Sequence, residues 1–142
     1  MPELGFDQVL EQAGFRSTRQ RRAVYEHLEA MHGHPTAEDV FHAVREELPR
    51  ISLATVYKAL ESLVESGVAQ KMSGGDGTAH FESRVDEHFH ARCRACNRIV
   101  DVEPMPEFHR CVDKIRTQGF AIERARVELT GLCEACSRMR HN

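Results

Sequence analysis

Two short motifs constrain this chain more than any other feature: Cys93-x-x-Cys96 and Cys133-x-x-Cys136, which take up four of its five cysteines. Paired C-x-x-C knuckles present four soft thiolates, and tetrahedral zinc takes four such ligands at about 2.3 Å. The 36 residues between the knuckles exceed the usual zinc-ribbon gap, yet a helix and two strands can fill them. Disulfides are the competing reading. The opening MPELGFDQVL lacks the basic and then apolar blocks of a secretory leader, and a reducing compartment keeps thiols free. The expectation is a cytoplasmic protein with a closed Zn(II) site that stabilises the fold rather than catalyses. Cys111 is left over on the apolar side of a helix, where a buried small hydrophobe is expected.

With 142 residues, 41% hydrophobic and 29% charged, the chain suits one compact domain or two small ones with a packed core. No apolar run approaches the ~20 residues of a membrane helix, so no membrane partner is expected. The formal net charge is −3. The first 79 residues carry 8 Lys/Arg against 12 Asp/Glu, and the remainder 11 against 10. This excludes a protein that coats nucleic acid through bulk positive charge. Any contact with DNA must come from a local patch.

The first half reads as helices. Residues 3–13 carry Leu4, Val9 and Leu10, with Gly14 as a stop. Thr18 caps a second helix whose apolar positions are Val24, Leu28 and Met31, broken by Gly33 and Pro35. Thr36-x-x-Asp39 resembles a capping box and opens a third helix through Val40, Phe41, Val44 and Leu48, with Pro49 ending it. Ser52 caps a fourth, with Leu53, Val56, Leu60, Leu63 and Val64 inward and Gly67 closing it. Val68–Met72 and Ala79–Glu82 then read as two strands around a turn from Ser73 to Gly77. That order is the order of a winged helix-turn-helix; a helical bundle with a stray hairpin is the alternative.

In the second half, residues 89–93 and 98–102 flank the first knuckle. A helix over about 106–118 follows, with Phe108, Cys111, Val112 and Ile115 on one side. Strands over Phe120–Glu123 and Arg126–Leu132 lead to the second knuckle. The fold class is α+β.

A second cluster of metal-binding residue types comprises His34, Glu82, His88, His90 and Asp101. His88 and His90 form H-x-H, which on a strand turns both rings to one face. Three imidazoles and two carboxylates suit Fe(II), Mn(II) or Zn(II). Arg16, Arg19, Arg21 and Arg22 form a basic run at a helix start, where backbone N–H groups already favour phosphate; a solvated basic face is the plain alternative. On the fourth helix, Ala54, Thr55 and Lys58 point away from the apolar stripe and Tyr57 flanks it. That surface is small and polar enough to enter a major groove about 12 Å wide. A metalloenzyme with Glu82 as base is a rival function. Five protein ligands leave little room for water and substrate, whereas catalytic zinc keeps three. A zinc-stabilised interaction module without DNA binding is a third reading.

These residues resemble the ferric uptake regulator superfamily of metal-dependent bacterial repressors. The match runs through Ser17-Thr18-Arg19-Gln20-Arg21, His34-Pro35-Thr36-Ala37-Glu38-Asp39, Ser52-Leu53-Ala54-Thr55-Val56-Tyr57, the stretch from His88 to Cys96, and Cys133-Glu134-Ala135-Cys136, in family order. The resemblance implies a winged-helix DNA-binding domain with hinge over residues 1–82 and a small α/β dimerisation and metal-binding domain over 83–142. It implies structural Zn(II) on Cys93, Cys96, Cys133 and Cys136. It places a regulatory Fe(II) or Mn(II) on His34, Glu82, His88, His90 and Asp101, across the hinge. Tyr57 and Lys58 fall on the base-reading stretch, and Arg16 where a basic residue of the family enters the minor groove. The implied partners are a second copy of the chain and a palindromic, A·T-rich operator in double-stranded DNA.

Within the family, zinc sensors carry a Cys among the regulatory ligands, and residues 73–87 contain none. Phe89, Phe108 and Ala125 stand where a further metal site of iron sensors needs ligands. Asp101 matches peroxide sensors, while Glu82 stands where those have Asp. The resemblance favours a peroxide-responsive repressor over a single-site iron- or manganese-responsive one.

Overall fold

The computed structural model describes residues 4–73, 77–122 and 125–140, and the chain falls into two compact units, Met1–Val85 and Asp86–Asn142. The first holds α1 (Phe6–Gln12), α2 (Arg19–Ala30), α3 (Ala37–Val44), α4 (Leu53–Glu65), β1 (Gln70–Ser73) and β2 (Ala79–Glu82). The helix starts follow from local chemistry. Thr18 and Ser52 accept from the backbone N–H of Arg21 and Thr55, and Thr36 and Asp39 cap each other reciprocally. The apolar stripes then meet: Val24 and Leu28, Val40 and Val44, and Val56, Leu60 and Leu63 bury against one another with Leu10 and Phe81.

β1 and β2 pair antiparallel from Gln70↔Glu82 to Ser73↔Ala79. A bridge between Thr36 and His80 ties the start of α3 to this hairpin. Helices followed by such a wing make the winged helix-turn-helix. The expected turn residues Gly74, Gly75 and Asp76 lie outside the described residues. Phe81 is fully buried, so Phe81→Ala is expected to cost about 3–5 kcal/mol in urea unfolding. A loss below about 1 kcal/mol would mean that the wing does not close this core.

Two boundaries differ from expectation. The third helix stops at Val44 rather than running to Pro49. The following N–H groups of Glu46 and Glu47 fold back on Ala43 and Val44 as a tightened turn, and Pro49 biases Leu48 away from helical geometry. The second helix ends at Ala30, leaving Met31 as its cap.

The second unit holds β3 (Phe89–Cys93), β4 (Ile99–Val102), α5 (Pro106–Arg116), β5 (Glu128–Gly131) and α6 (Glu134–Arg140). The sheet order is β4-β3-β5. β3 runs antiparallel to β4, with His90 opposite Asp101, and parallel to β5, with His90 opposite Glu128. α5 meets the sheet through Phe108, edge-on to Phe89 with ring centroids 4.6 Å apart.

Three expectations fail here. Residues 120–122 form no strand, and Glu123 lies outside the described residues. Among the described residues the segment joins neither sheet, and Phe120 is exposed. The strand expected over Arg126–Leu132 shrinks to the four residues that pair with β3. Cys111 is exposed rather than buried, because α5 buries none of its residues fully.

Candidate functional site

The tetrathiolate group is assembled by three local devices. Cys93 is the last residue of β3, and the chain turns directly after it. The N–H of Asn97 donates to the Cys93 carbonyl at 2.9 Å, and Asn97 sits at φ 64°, in the left-handed region that Asn tolerates. This turn returns Cys96 beside Cys93. Parallel pairing of β3 with β5, in register to Cys93↔Gly131, then delivers Cys133 just past the strand. α6 begins at Glu134 and carries Cys136 on its first turn.

The four Sγ atoms lie within 4.8 Å of one another, and those of Cys96 and Cys133 are 3.8 Å apart. A tetrahedron of sulfurs about 2.3 Å from a zinc ion has edges of about 3.8 Å. A disulfide would need about 2.05 Å, and all four cysteines are free thiols. The donor set therefore fits zinc. Backbone N–H groups of Cys133 and then Cys96 draw the Cys93 thiol down to about 6. Hydrogen bonding to Cys133, then Cys93 and Cys96, pushes Cys136 up to about 12. Four crowded thiolates repel, so a divalent cation is needed to hold them all ionised.

The other candidate ligands form a group in each unit. In the first, β2 ends at Glu82, and the segment before α3 is pinned beside it. The Phe81 N–H donates to the Pro35 carbonyl at 2.8 Å, and His80 Nδ1 meets the His34 carbonyl at 2.7 Å. These bonds bring His34 Nε2 to 3.1 Å from Glu82 Oε2.

In the second unit, the His90↔Asp101 register sets the site. Nε2 of both His88 and His90 lies 3.5 Å from the same Asp101 Oδ1. The two rings stand edge to face with centroids 4.6 Å apart. His88 Nδ1 lies 2.6 Å from the Asp86 carbonyl, to which it donates, and Nε2 faces the carboxylate. A carbonyl behind the outer ring nitrogen is the usual support of a metal-binding histidine. The Asp86 carbonyl was not foreseen from sequence, since any residue supplies one.

The basic run separates into two kinds of arginine. Arg22 pairs with Asp7 of α1, and the same carboxylate takes the Ser17 hydroxyl. Ser17 first, and then Arg22, hold Asp7 below the usual carboxylate range. Arg21 Nη1 donates to the Arg16 carbonyl at 2.7 Å, and its guanidinium lies over the Phe15 ring. Arg16 and Arg19 are exposed, with no ion-pair partner among the described residues. On α4, Ala54, Tyr57 and Lys58 are exposed, and the Thr55 hydroxyl lies 2.8 Å from that of Ser52.

A winged helix followed by a small sheet unit bearing a tetrathiolate group defines a metal-binding, DNA-binding protein. The chain matches the ferric uptake regulator family over residues 12–130 and belongs to it. It is 34% identical over 133 residues to the peroxide operon regulator of Bacillus subtilis, covering 92% of this chain and 90% of the relative. The ferric uptake regulator of Pseudomonas aeruginosa with manganese superposes with a TM-score of 0.77 at 27% identity, covering 88% of this chain and 95% of that one. The peroxide stress regulator of Campylobacter jejuni gives 0.72 at 27% identity, covering 94% and 100%. As a family member the chain is a metal-dependent repressor that binds DNA and forms dimers. It is not an enzyme, and the metalloenzyme reading falls. No helix among the described residues is long and apolar enough to cross a membrane.

Proposed function

We propose that the chain is a peroxide-responsive repressor in which one ion, Fe(II) or Mn(II), is shared by His34, Glu82, His88, His90 and Asp101. The observation that carries this reading is that each unit supplies a ready group of donors. His34 and Glu82 meet at 3.1 Å in the first, and two imidazoles converge on one Asp101 oxygen in the second. Three imidazoles and two carboxylates suit these borderline ions. Structural Zn(II) belongs to the four cysteines. The peroxide response is supported by the Bacillus subtilis and Campylobacter jejuni relatives.

Residues 1–82 act as the DNA-binding domain with hinge, and 83–142 as the dimerisation and metal-binding domain. Tyr57 and Lys58, beside Thr55, read base edges in the major groove. Arg16 reaches the minor groove and Arg19 a phosphate. Sharing five ligands between two domains favours one closed arrangement, and its contribution equals the difference in ion affinity between closed and open states. Two-fold symmetry of the dimer calls for a palindromic operator, A·T-rich as in the family. The setting is the cytoplasm.

Fe(II), if held by these five residues, would supply the redox chemistry for reaction with hydrogen peroxide, which Mn(II) would not. One ring, that of His34 or His90, would take up one oxygen atom of the peroxide, and the other would leave as water. A ring so modified is a poorer ligand, so the hinge opens and DNA is released. Brief peroxide treatment of Fe(II)-loaded protein is expected to add one oxygen to a peptide holding His34 or His90, read by mass spectrometry. The Mn(II)-loaded protein is expected to stay unmodified. Glu82, in place of the Asp usual in peroxide sensors, favours a second reading, a single-site iron- or manganese-responsive repressor. Unmodified peptides with DNA binding intact would leave that reading standing alone.

A further inference from the structure

A groove in the first unit holds Arg19, given a phosphate above, beside residues to which no role has been assigned. It lies between the start of α2 and the turn leading into α4, with a volume of about 660 Å³. Leu48, Pro49 and Ile51 give it an apolar floor, and Arg19 and Arg50 stand at it. Both arginines are exposed, and neither has an ion-pair partner among the described residues. In this they differ from Arg22, bound to Asp7, and Arg21, bound to the Arg16 carbonyl. Glu47 is the acidic side chain at the groove, and it is engaged by His27 Nε2 at 3.0 Å. Neither α2 nor α4 carries an acidic residue in its first turn, so no helix start repels an anion here. The groove leads into Ser52, the cap of the helix that presents Thr55, Tyr57 and Lys58.

We propose that this groove seats a stretch of DNA sugar-phosphate backbone flanking the major groove entered by α4. Arg50 and Arg19 contact its phosphates, and Leu48 and Pro49 pack against deoxyribose. The inference rests on the DNA-binding reading of α4. It adds Arg50 as a residue that sets the register of the protein on the duplex without reading sequence. An apolar floor between two unpaired guanidinium groups matches a backbone that alternates sugar and phosphate, and a free inorganic anion would leave most of that floor exposed.

The test is the salt dependence of binding to a fluorescein-labelled duplex of mixed sequence, using the full chain loaded with Mn(II). Each phosphate contact contributes about 0.9 to the slope of log affinity against log salt. Arg50→Gln is therefore expected to lower that slope by about 0.9 per protomer and weaken binding about eightfold per protomer at about 0.1 M salt, the curves converging near 1 M. Arg50→Lys keeps the charge and is expected to keep the slope. Arg19→Gln is expected to repeat the Arg50→Gln result, so a folding defect in one variant leaves the other to decide.

An unchanged slope in both Gln variants, with the wild type binding normally, overturns the groove and spares the reading of α4. A wild type that binds no duplex overturns both. A loss confined to particular sequences would make Arg50 a base contact and overturn the phosphate role. Inorganic phosphate that raises the melting temperature of the wild type but not of Arg50→Gln, with duplex binding equal in the two, would assign the groove to a free anion instead.

Discussion

Replacing Cys96 with Ser is expected to strip zinc from the chain and unfold the second unit, while the first keeps its helices. The reason lies in how little apolar surface the second unit buries. Among its described residues, the buried apolar side chains are Phe89 and Cys93, whereas α5, α6 and β5 bury none. A unit of this size is marginal by hydrophobic burial alone. Structural zinc in small domains contributes about 10–16 kcal/mol of apparent folding free energy at neutral pH. The four cysteines also join β3, the turn after it, the exit of β5 and the start of α6 at a single point. Zinc analysis should fall from about one ion per chain to nearly none. Size-exclusion chromatography should show loss of the dimer, and the helical signal of the first unit should persist in circular dichroism. A Cys96→Ser protein that keeps its zinc and its dimer would refute the structural role of this group.

His90→Ala is expected to act in the opposite way. Zinc content and dimerisation should stay as in the wild type, because His90 lies on β3 three residues before Cys93 and outside the tetrathiolate group. Stimulation of DNA binding by Fe(II) or Mn(II) should be lost. His90 Nε2 is one of two ring nitrogens set 3.5 Å from Asp101 Oδ1. Removing even a supporting group of a metal ligand costs about 10–100-fold in affinity, and removing a ligand costs more. Titrating Mn(II) against labelled operator, at fixed zinc, reads the effect directly. If His90→Ala retains the wild-type Mn(II) response, the regulatory site is elsewhere. If it loses zinc as well, the separation of the two sites fails. The paired variants thus divide a folding metal from a switching one.

Much of the first unit was legible because its information is local. Thr18, Thr36 and Ser52 cap helices by bonding N–H groups three residues on, and the apolar stripes of α2, α3 and α4 follow the helical period. The knuckle spacings and the H-x-H were legible for the same reason. The arginine run was not. Four basic residues in a row of seven read as one patch, but Asp7, ten to fifteen residues earlier, takes Ser17 and Arg22 out of it. Arg50 escaped notice because it stands alone in the sequence. α6 escaped because its seven residues carry no apolar stripe and rely on the Glu134–Arg138 pair and on Cys136. Strand and burial expectations in the second unit erred where a partner decides the outcome. Among the described residues, 120–122 pair with no strand, and nothing covers Cys111 on α5.

By itself the sequence determined the kind of ligand each candidate site offers and the helices that carry the surface proposed to read DNA. Thiolate, imidazole and carboxylate chemistry belongs to the residue, and caps and periodicity act over a few positions. Only the tertiary structure decided which ligands meet and which charges remain free. Those depend on the register of β3 with β4 and β5, on the bonds that pin His34 beside Glu82, and on where α1 lays Asp7. Such contacts join residues distant along the chain, and backbone hydrogen bonds of similar strength are open to many pairings until packing selects one.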